Sequence, residues 1–278
     1  MALYSIKHLP TKPITASGFS LLELIIVIVL IGIMAVSLGN LTTSTVYSYV
    51  DAKDRNRLSQ SAKWLSEKIS REVREALPQS VRAGSNGNFH CLEFLPINNS
   101  SSYLNFPASG SVTSFNAVGY NLLNSNATLI AIMPIDANSV YNSSGTLGIV
   151  NNIQTFVGDP NQVVITLNAA TTFSQRSPQQ RFYLLNNPVS YCLNNNSGQM
   201  FRYDNYNLNP SQQFPPSGGD LIGENLSATS TVFNYSSNTL SRSGLLQINL
   251  HTQNRSRSLT GNQESFDVFH EVHIRNVP

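Results

Sequence analysis

Residues 18–41 read GFSLLELIIVIVLIGIMAVSLGNL. From Phe19 to Leu41 the run is apolar apart from Glu23, Asn40 and small residues. At ~1.5 Å rise per helical residue, its roughly 20 residues reach across the ~30 Å hydrocarbon core of a bilayer. The segment in front holds Lys7, His8 and Lys12 and no acid. A basic leader stays on the cytoplasmic side, which sends the rest of the chain outside. Pro10 and Pro13 keep that leader non-helical or broken.

The whole chain has 278 residues, enough for one large domain or two small ones with a real core. Only 12% of the residues are charged, about half the usual share. With 17 Lys+Arg against 15 Asp+Glu, the formal charge is +2. No nucleic-acid partner is expected, because that needs a clearly basic face. A charge-driven disordered chain is excluded as well. Asn and Ser together supply about a quarter of the residues, which gives a neutral surface rich in hydrogen-bonding groups. Such a surface suits an exported protein with many turns.

After Leu41 a helical pattern resumes. Val46, Val50, Leu58, Ala62, Leu65, Ile69, Val73 and Leu77 recur mostly three or four residues apart. Lys68 and Glu72, Glu67 and Arg71, and Arg71 and Glu75 are i,i+4 partners of opposite charge. Pro78 stops the run. The pattern predicts one helix over about 20–77: a membrane half, 19–41, and an amphipathic half, 42–77. Thr42, Thr43, Ser44 and Thr45 are weak helix formers, so the join is expected to be loose.

The apolar face of the second half must be covered. Residues 78–278 supply strand signals at 89–95, 128–133, 147–150, 163–167, 181–185, 189–193, 200–203, 231–235, 245–251 and 266–277. Asn, Ser, Gly and Pro clusters separate them. The expected class is α+β, a long N-terminal helix on antiparallel sheets, with 97–180 an insertion carrying its own strands.

Three readings of the N-terminus compete. A signal peptide would be cut near Ala35, Val36 and Ser37, leaving Leu38 first. A plain anchor would stay uncut. The third rests on GFSLLE: Gly18 precedes the apolar run, Phe19 begins it, and Glu23 is the fifth residue after Gly18. This resembles the processing site of type IV pilins and type II secretion pseudopilins. The resemblance implies that a prepilin peptidase removes 1–18 and that Phe19 becomes the N-methylated N-terminus. It implies that Glu23 pairs with the N-terminal amine of a neighbouring subunit and sets the axial register. A carboxylate near a membrane helix end costs about 2.5–3.5 kcal/mol, so such a partner is physically reasonable; a hydrated interfacial Glu is the simpler alternative. Losing Lys7 and Lys12 would leave a nearly neutral chain. Many pilins have a proline where this chain has Asn40, so the usual kink is missing.

Three further stretches sharpen the resemblance: KISREVREALPQSVRAGSNGNFHCLEFLP from Lys68, QRFYLLNNPVSYCLNNNSGQMFRYDNY from Gln180, and FHEVHIRNVP at the end. They look like large minor pilins of the mannose-sensitive haemagglutinin (MSHA) type IV pilus. J-type pseudopilins and W-type minor pilins are more distant likenesses. The implied partners are other major and minor pilins, the inner-membrane assembly platform and the inner membrane itself. The implied location is single-pass with the globular part periplasmic, then the pilus on the cell surface. An oxidising periplasm favours a disulfide between Cys91 and Cys192, the only cysteines, with two buried thiols as the alternative.

Enzymatic chemistry finds little support. His270-Glu271-Val272-His273 lacks one residue of the H-E-x-x-H helix motif, and in a strand its two histidines face opposite sides. Asp136, Asp159, Asp204 and Asp220 lie near loops but form no spaced calcium loop. No nucleotide or nucleophile-elbow signature is present. Asn126 and Asn142 begin Asn-x-Ser/Thr sequons best read as turns. No cofactor or metal is expected. The leading expectation is therefore an assembly subunit that helps to start a pilus at or near its tip, not an enzyme. The alternatives are a tip adhesin built on the Asn/Ser/Tyr-rich part and a type II secretion pseudopilin.

Overall fold

The computed structural model describes residues 18, 20–107, 109–143, 145–228, 231–237, 242–254 and 263–274. Contacts divide the chain into two units, 1–50 and 51–278. In chain order the elements are α1 (Leu21–Arg74), β1 (Arg82–Asn86), β2 (Phe89–Phe94), β3 (Ile97–Ser102), β4 (Ser111–Val118) and β5 (Leu129–Ala131). A one-turn helix α2 (Ala137–Tyr141) leads to β6 (Leu147–Phe156), β7 (Asp159–Thr172), β8 (Arg181–Leu185), β9 (Val189–Asn194) and β10 (Gln199–Tyr203). The chain continues through β11 (Asp220–Gly223), β12 (Leu226–Ser227), β13 (Phe233–Ser236), β14 (Gly244–Gln253) and β15 (Ser265–Ile274). All strand pairs are antiparallel, so the layout is α+β.

In the second unit, Leu58, Ala62, Leu65, Ile69 and Val73 are buried along one face of α1. Leu65, Ile69 and Val73 share a core with Leu92, Phe94, Tyr191 and Met200 of the five-stranded sheet β1-β2-β9-β10-β11. Leu246, Ile248, Leu250 and Val272 of the β12–β15 sheet complete that core. Each fully buried Leu or Ile contributes about 1.5–3 kcal/mol relative to exposure. Backbone approach is close: a Cβ on Gly223 would stand 2.6 Å from Leu65 Cδ1.

Helix α1 ends at Arg74, three residues short of the expected stop. The residue before a proline avoids helical angles, and Leu77 is extended at φ −62°, ψ 116°. Its N–H donates to Leu95 O (2.8 Å), and Ile97 N–H donates to Glu75 O (2.9 Å). The last predicted turn is thus spent on tying the helix to the end of β2. The Thr42–Thr45 join, expected to be loose, is helical throughout. Its hydroxyls fold back on carbonyls three and four residues earlier, as Thr43 Oγ1 does to Gly39 O at 2.6 Å.

Strands β3 to β8 form a six-stranded sheet in the order β3-β8-β5-β6-β7-β4. A bridge between Tyr103 and Ala117, with Leu104 N–H donating to Asn116 O (2.8 Å), brings its two edges together. The sheet thereby rolls up and hides edge groups that would otherwise invite pairing. Phe106 contacts Tyr103, Phe115 and Phe173 at centroid distances of 4.8, 5.3 and 5.6 Å inside it. This excursion runs from β3 to Leu185, slightly past the expected boundary at 180, because β8 pairs with both β3 and β5.

The excursion leaves β2 and returns into β9, which are neighbours over Phe89↔Asn194 to Phe94↔Val189. Cys91 and Cys192 stand opposite each other there and are disulfide-bonded, both buried and 101 residues apart. Closing a loop of ~100 residues is worth up to about 4.7 kcal/mol in the chain-entropy account. A Cys91→Ala/Cys192→Ala double variant should lose about 2–4 kcal/mol in denaturant unfolding followed by circular dichroism; an unchanged midpoint would show that the bond staples nothing.

Candidate functional site

The start of α1 is built by a cap. Ser20 Oγ accepts the Glu23 backbone N–H at 3.2 Å, and Ser20 O accepts the Leu24 N–H at 3.2 Å. Ser20-Leu21-Leu22-Glu23 has the S-x-x-E spacing of a capping box, a signal the reading of Glu23 as a pairing residue passed over. Glu23 is exposed in the first turn, where a carboxylate also favours the positive end of the helix dipole. Gly18 is exposed, with nothing within 4 Å of where a Cβ would stand. Phe19 and the leader residues 1–17 lie outside the described residues.

From Leu21 to Leu41 every side chain is exposed, Leu21 at 78% and Leu41 at 64%. The helix is long and apolar enough to cross a membrane. Gly18 and Glu23 therefore sit at one end of a bare apolar rod, and the cysteines belong to the second unit. Within the second unit the two cysteines are brought together as a disulfide.

In the second unit, two ion groups fix the surroundings of β9. Glu72 accepts from Lys68 Nζ (3.1 Å) and Arg202 Nε (3.0 Å), and Arg202 Nη1 also donates to Asp204. Glu93, 1% exposed, accepts from Arg82 Nε at 2.7 Å and from the Tyr206 hydroxyl at 3.0 Å. Arg82 also donates to the carbonyls of Asn209 and Pro210, so it holds the long β10–β11 loop. Burial, then the nearby Glu93 charge, push the Tyr206 hydroxyl well up, so it stays a donor. The sequence pattern gives no sign of this second group, since its members come from distant segments.

The residues weighed for other chemistry have local tasks. His270 is half-buried on the inner face of β15 and His273 is exposed on the outer one. Among the described residues no group of three or more His, Cys, Asp or Glu is placed to hold a metal. Asp136 caps α2, accepting from Ser139 N–H at 2.7 Å, and Asp159 accepts from Asn161 N–H at 2.9 Å in the β6–β7 turn. Asp204 pairs with Arg202, and Asp220 is exposed on β11. Asn126 is exposed, and Asn142 ends α2 and donates to Asn138. Register aligns Ser227, His251 and Asp267 on three strands, with His251 Nδ1 2.6 Å from Asp267. Among the described residues Ser227 has no hydrogen bond to His251, so the row is a His251–Asp267 hydrogen bond beside a serine. No family model, curated protein or solved structure matches the chain.

Burial raises the Glu72 carboxyl, but the Tyr191 hydroxyl, Lys68 and Arg202 beside it outweigh this and hold it below its ordinary value. Its contribution is present at neutral pH and fades as the pH falls below the unfolded value of about 4.3. Glu72→Gln should therefore flatten the acid limb of a melting-temperature profile between about pH 5 and 3; identical profiles for variant and parent would contradict this role.

Proposed function

We propose that this chain is a minor pilin of an MSHA-type type IV pilus, of the MshO kind, that helps to start assembly at or near the tip. The observation that carries the reading is the 54-residue helix α1, bare and apolar at its capped start and sunk into a β-rich core at its end. It begins inside the Gly-Phe-Ser-Leu-Leu-Glu stretch at 18–23, behind a basic leader.

In this reading the precursor waits in the inner membrane with the globular part in the periplasm. Hydrolysis of the peptide bond after Gly18 by the prepilin peptidase frees the Phe19 amine, which is then N-methylated. That amine meets Glu23 of a neighbouring subunit, and each charge removes the other's desolvation cost in an apolar surrounding. Helices in lipid gain nothing from hydrophobic exclusion, so packing and polar pairing set their association. The same bare helix can thus leave the bilayer and enter a helical filament core without changing its fold. The implied partners are the assembly platform and the other major and minor pilins.

The cap at Ser20 separates two roles of Glu23, because the capping bond uses its backbone N–H and not its carboxylate. Glu23→Ala should leave processing and membrane level unchanged while reducing pilus number severalfold, counted by electron microscopy in cells lacking the native copy. Normal pilus number with stable variant protein would remove Glu23 from assembly.

A further inference from the structure

The rolled sheet and the end of α1 enclose a cleft of about 480 Å³ between them. That volume falls in the ~300–1,000 Å³ range of small-molecule sites. The trunk supplies Glu72, Glu75, Arg202 and Asp204, the excursion supplies Thr128, and the β8–β9 connection supplies Asn186 and Asn187. Phe94, Pro96 and Val189 provide apolar lining.

The polar groups are oriented before any ligand arrives. Asn187 Oδ1 accepts from Thr128 Oγ1 at 3.1 Å, and Asn186 Oδ1 accepts from Asn98 Nδ2 at 3.2 Å. With both amide oxygens engaged, both amide NH₂ groups remain as donors without a partner among the described residues. Arg202 is held by Glu72 and Asp204, which fixes its guanidinium plane. Glu75 is exposed and has no side-chain partner among the described residues, so its carboxylate is a free acceptor. Donors and acceptors thus line one cleft, with apolar groups beside them.

This pairing selects the ligand. An anion offers acceptors and would meet the carboxylates of Glu72, Glu75 and Asp204. An ammonium offers donors only and would leave the two amide NH₂ groups unmatched. Hydroxyls donate and accept at once, so several of them on one rigid ring satisfy both sets, and the ring's C–H face suits the apolar lining. We propose that this cleft binds a neutral sugar ring, gripped by Glu75, Asn186 and Asn187. The site goes beyond the assembly role and does not depend on it. It exists because the excursion leaves and rejoins the trunk beside the end of α1.

The test uses the full chain in a zwitterionic detergent that contains no sugar. Saturation-transfer NMR and titration would compare methyl hexopyranosides of the gluco, galacto and manno series with cadaverine and with glucuronate. The expected result is saturable binding of at least one neutral hexoside. Asn187→Asp, which keeps the Thr128 bond but replaces a donor by an acceptor, should weaken it tenfold or more, with Glu75→Gln weakening it less. Both variants should melt like the parent. Preference for cadaverine or glucuronate, no saturable binding of any neutral hexoside by folded protein, or binding indifferent to Asn187→Asp would each overturn the proposal. None of these outcomes depends on whether pili assemble.

Discussion

One helix has to satisfy two apolar surroundings. Along its first twenty residues α1 shows side chains that no part of the described chain covers, and water is a poor solvent for them. From Leu58 onward the same helix turns a single face to two sheets that bury it completely at Leu65, Ile69 and Val73. The two sheets of the trunk follow from that face. The five-stranded sheet brings Leu92, Tyr191 and Met200 to it, and the β12–β15 sheet brings Ile248, Leu250 and Val272. Without α1 both sheets would expose their inner faces, so the helix is the centre of the core and not an ornament on it.

The second constraint is the neck. A chain that leaves one strand, wanders for about ninety residues and returns to the next strand carries a closure cost that grows slowly with length. The β2–β9 ladder and the Cys91–Cys192 bond meet that cost at the base. The excursion then closes on its own aromatic core around Phe106 and Phe115, and meets the trunk in a smaller core where Leu77 and Leu95 are buried with Ala131, Tyr141 and Leu185. A polar seam remains where the two bodies of sheet meet, and Glu72, Arg202, Asn186 and Asn187 gather there.

Much of this was legible in the residues. The apolar run, the spacing of Leu58 to Val73 and strands such as β8, β9 and β14 announce themselves because burial needs Leu, Ile, Val, Phe and Tyr at a fixed period. Strand β3, Ile97-Asn98-Asn99-Ser100-Ser101-Ser102, is missing from the expected strands because its Asn/Ser run carries no strand pattern. It is a strand because β8 offers it a ladder, not because of its own pattern. β1 and β11 escaped for the same reason, with Gly84 and Gly223 where a strand signal would want a side chain. The end of α1 was misplaced because Pro78 acts one turn earlier than a stop signal suggests, through the extended Leu77. The cleft was illegible in principle: its groups come from five separate segments, joined only by the topology.

A pilin differs from a signal-peptide protein or a plain anchor in what happens at Gly18. Intact-mass and peptide mass spectrometry of the protein purified from membranes would give the mature N-terminus directly. An N-methylated Phe19 is the predicted result and would place the bare helix in a filament or its assembly base. A chain beginning at Leu38, or an uncut Met1, would contradict the pilin reading and leave the β-rich unit with a different reason to be exported.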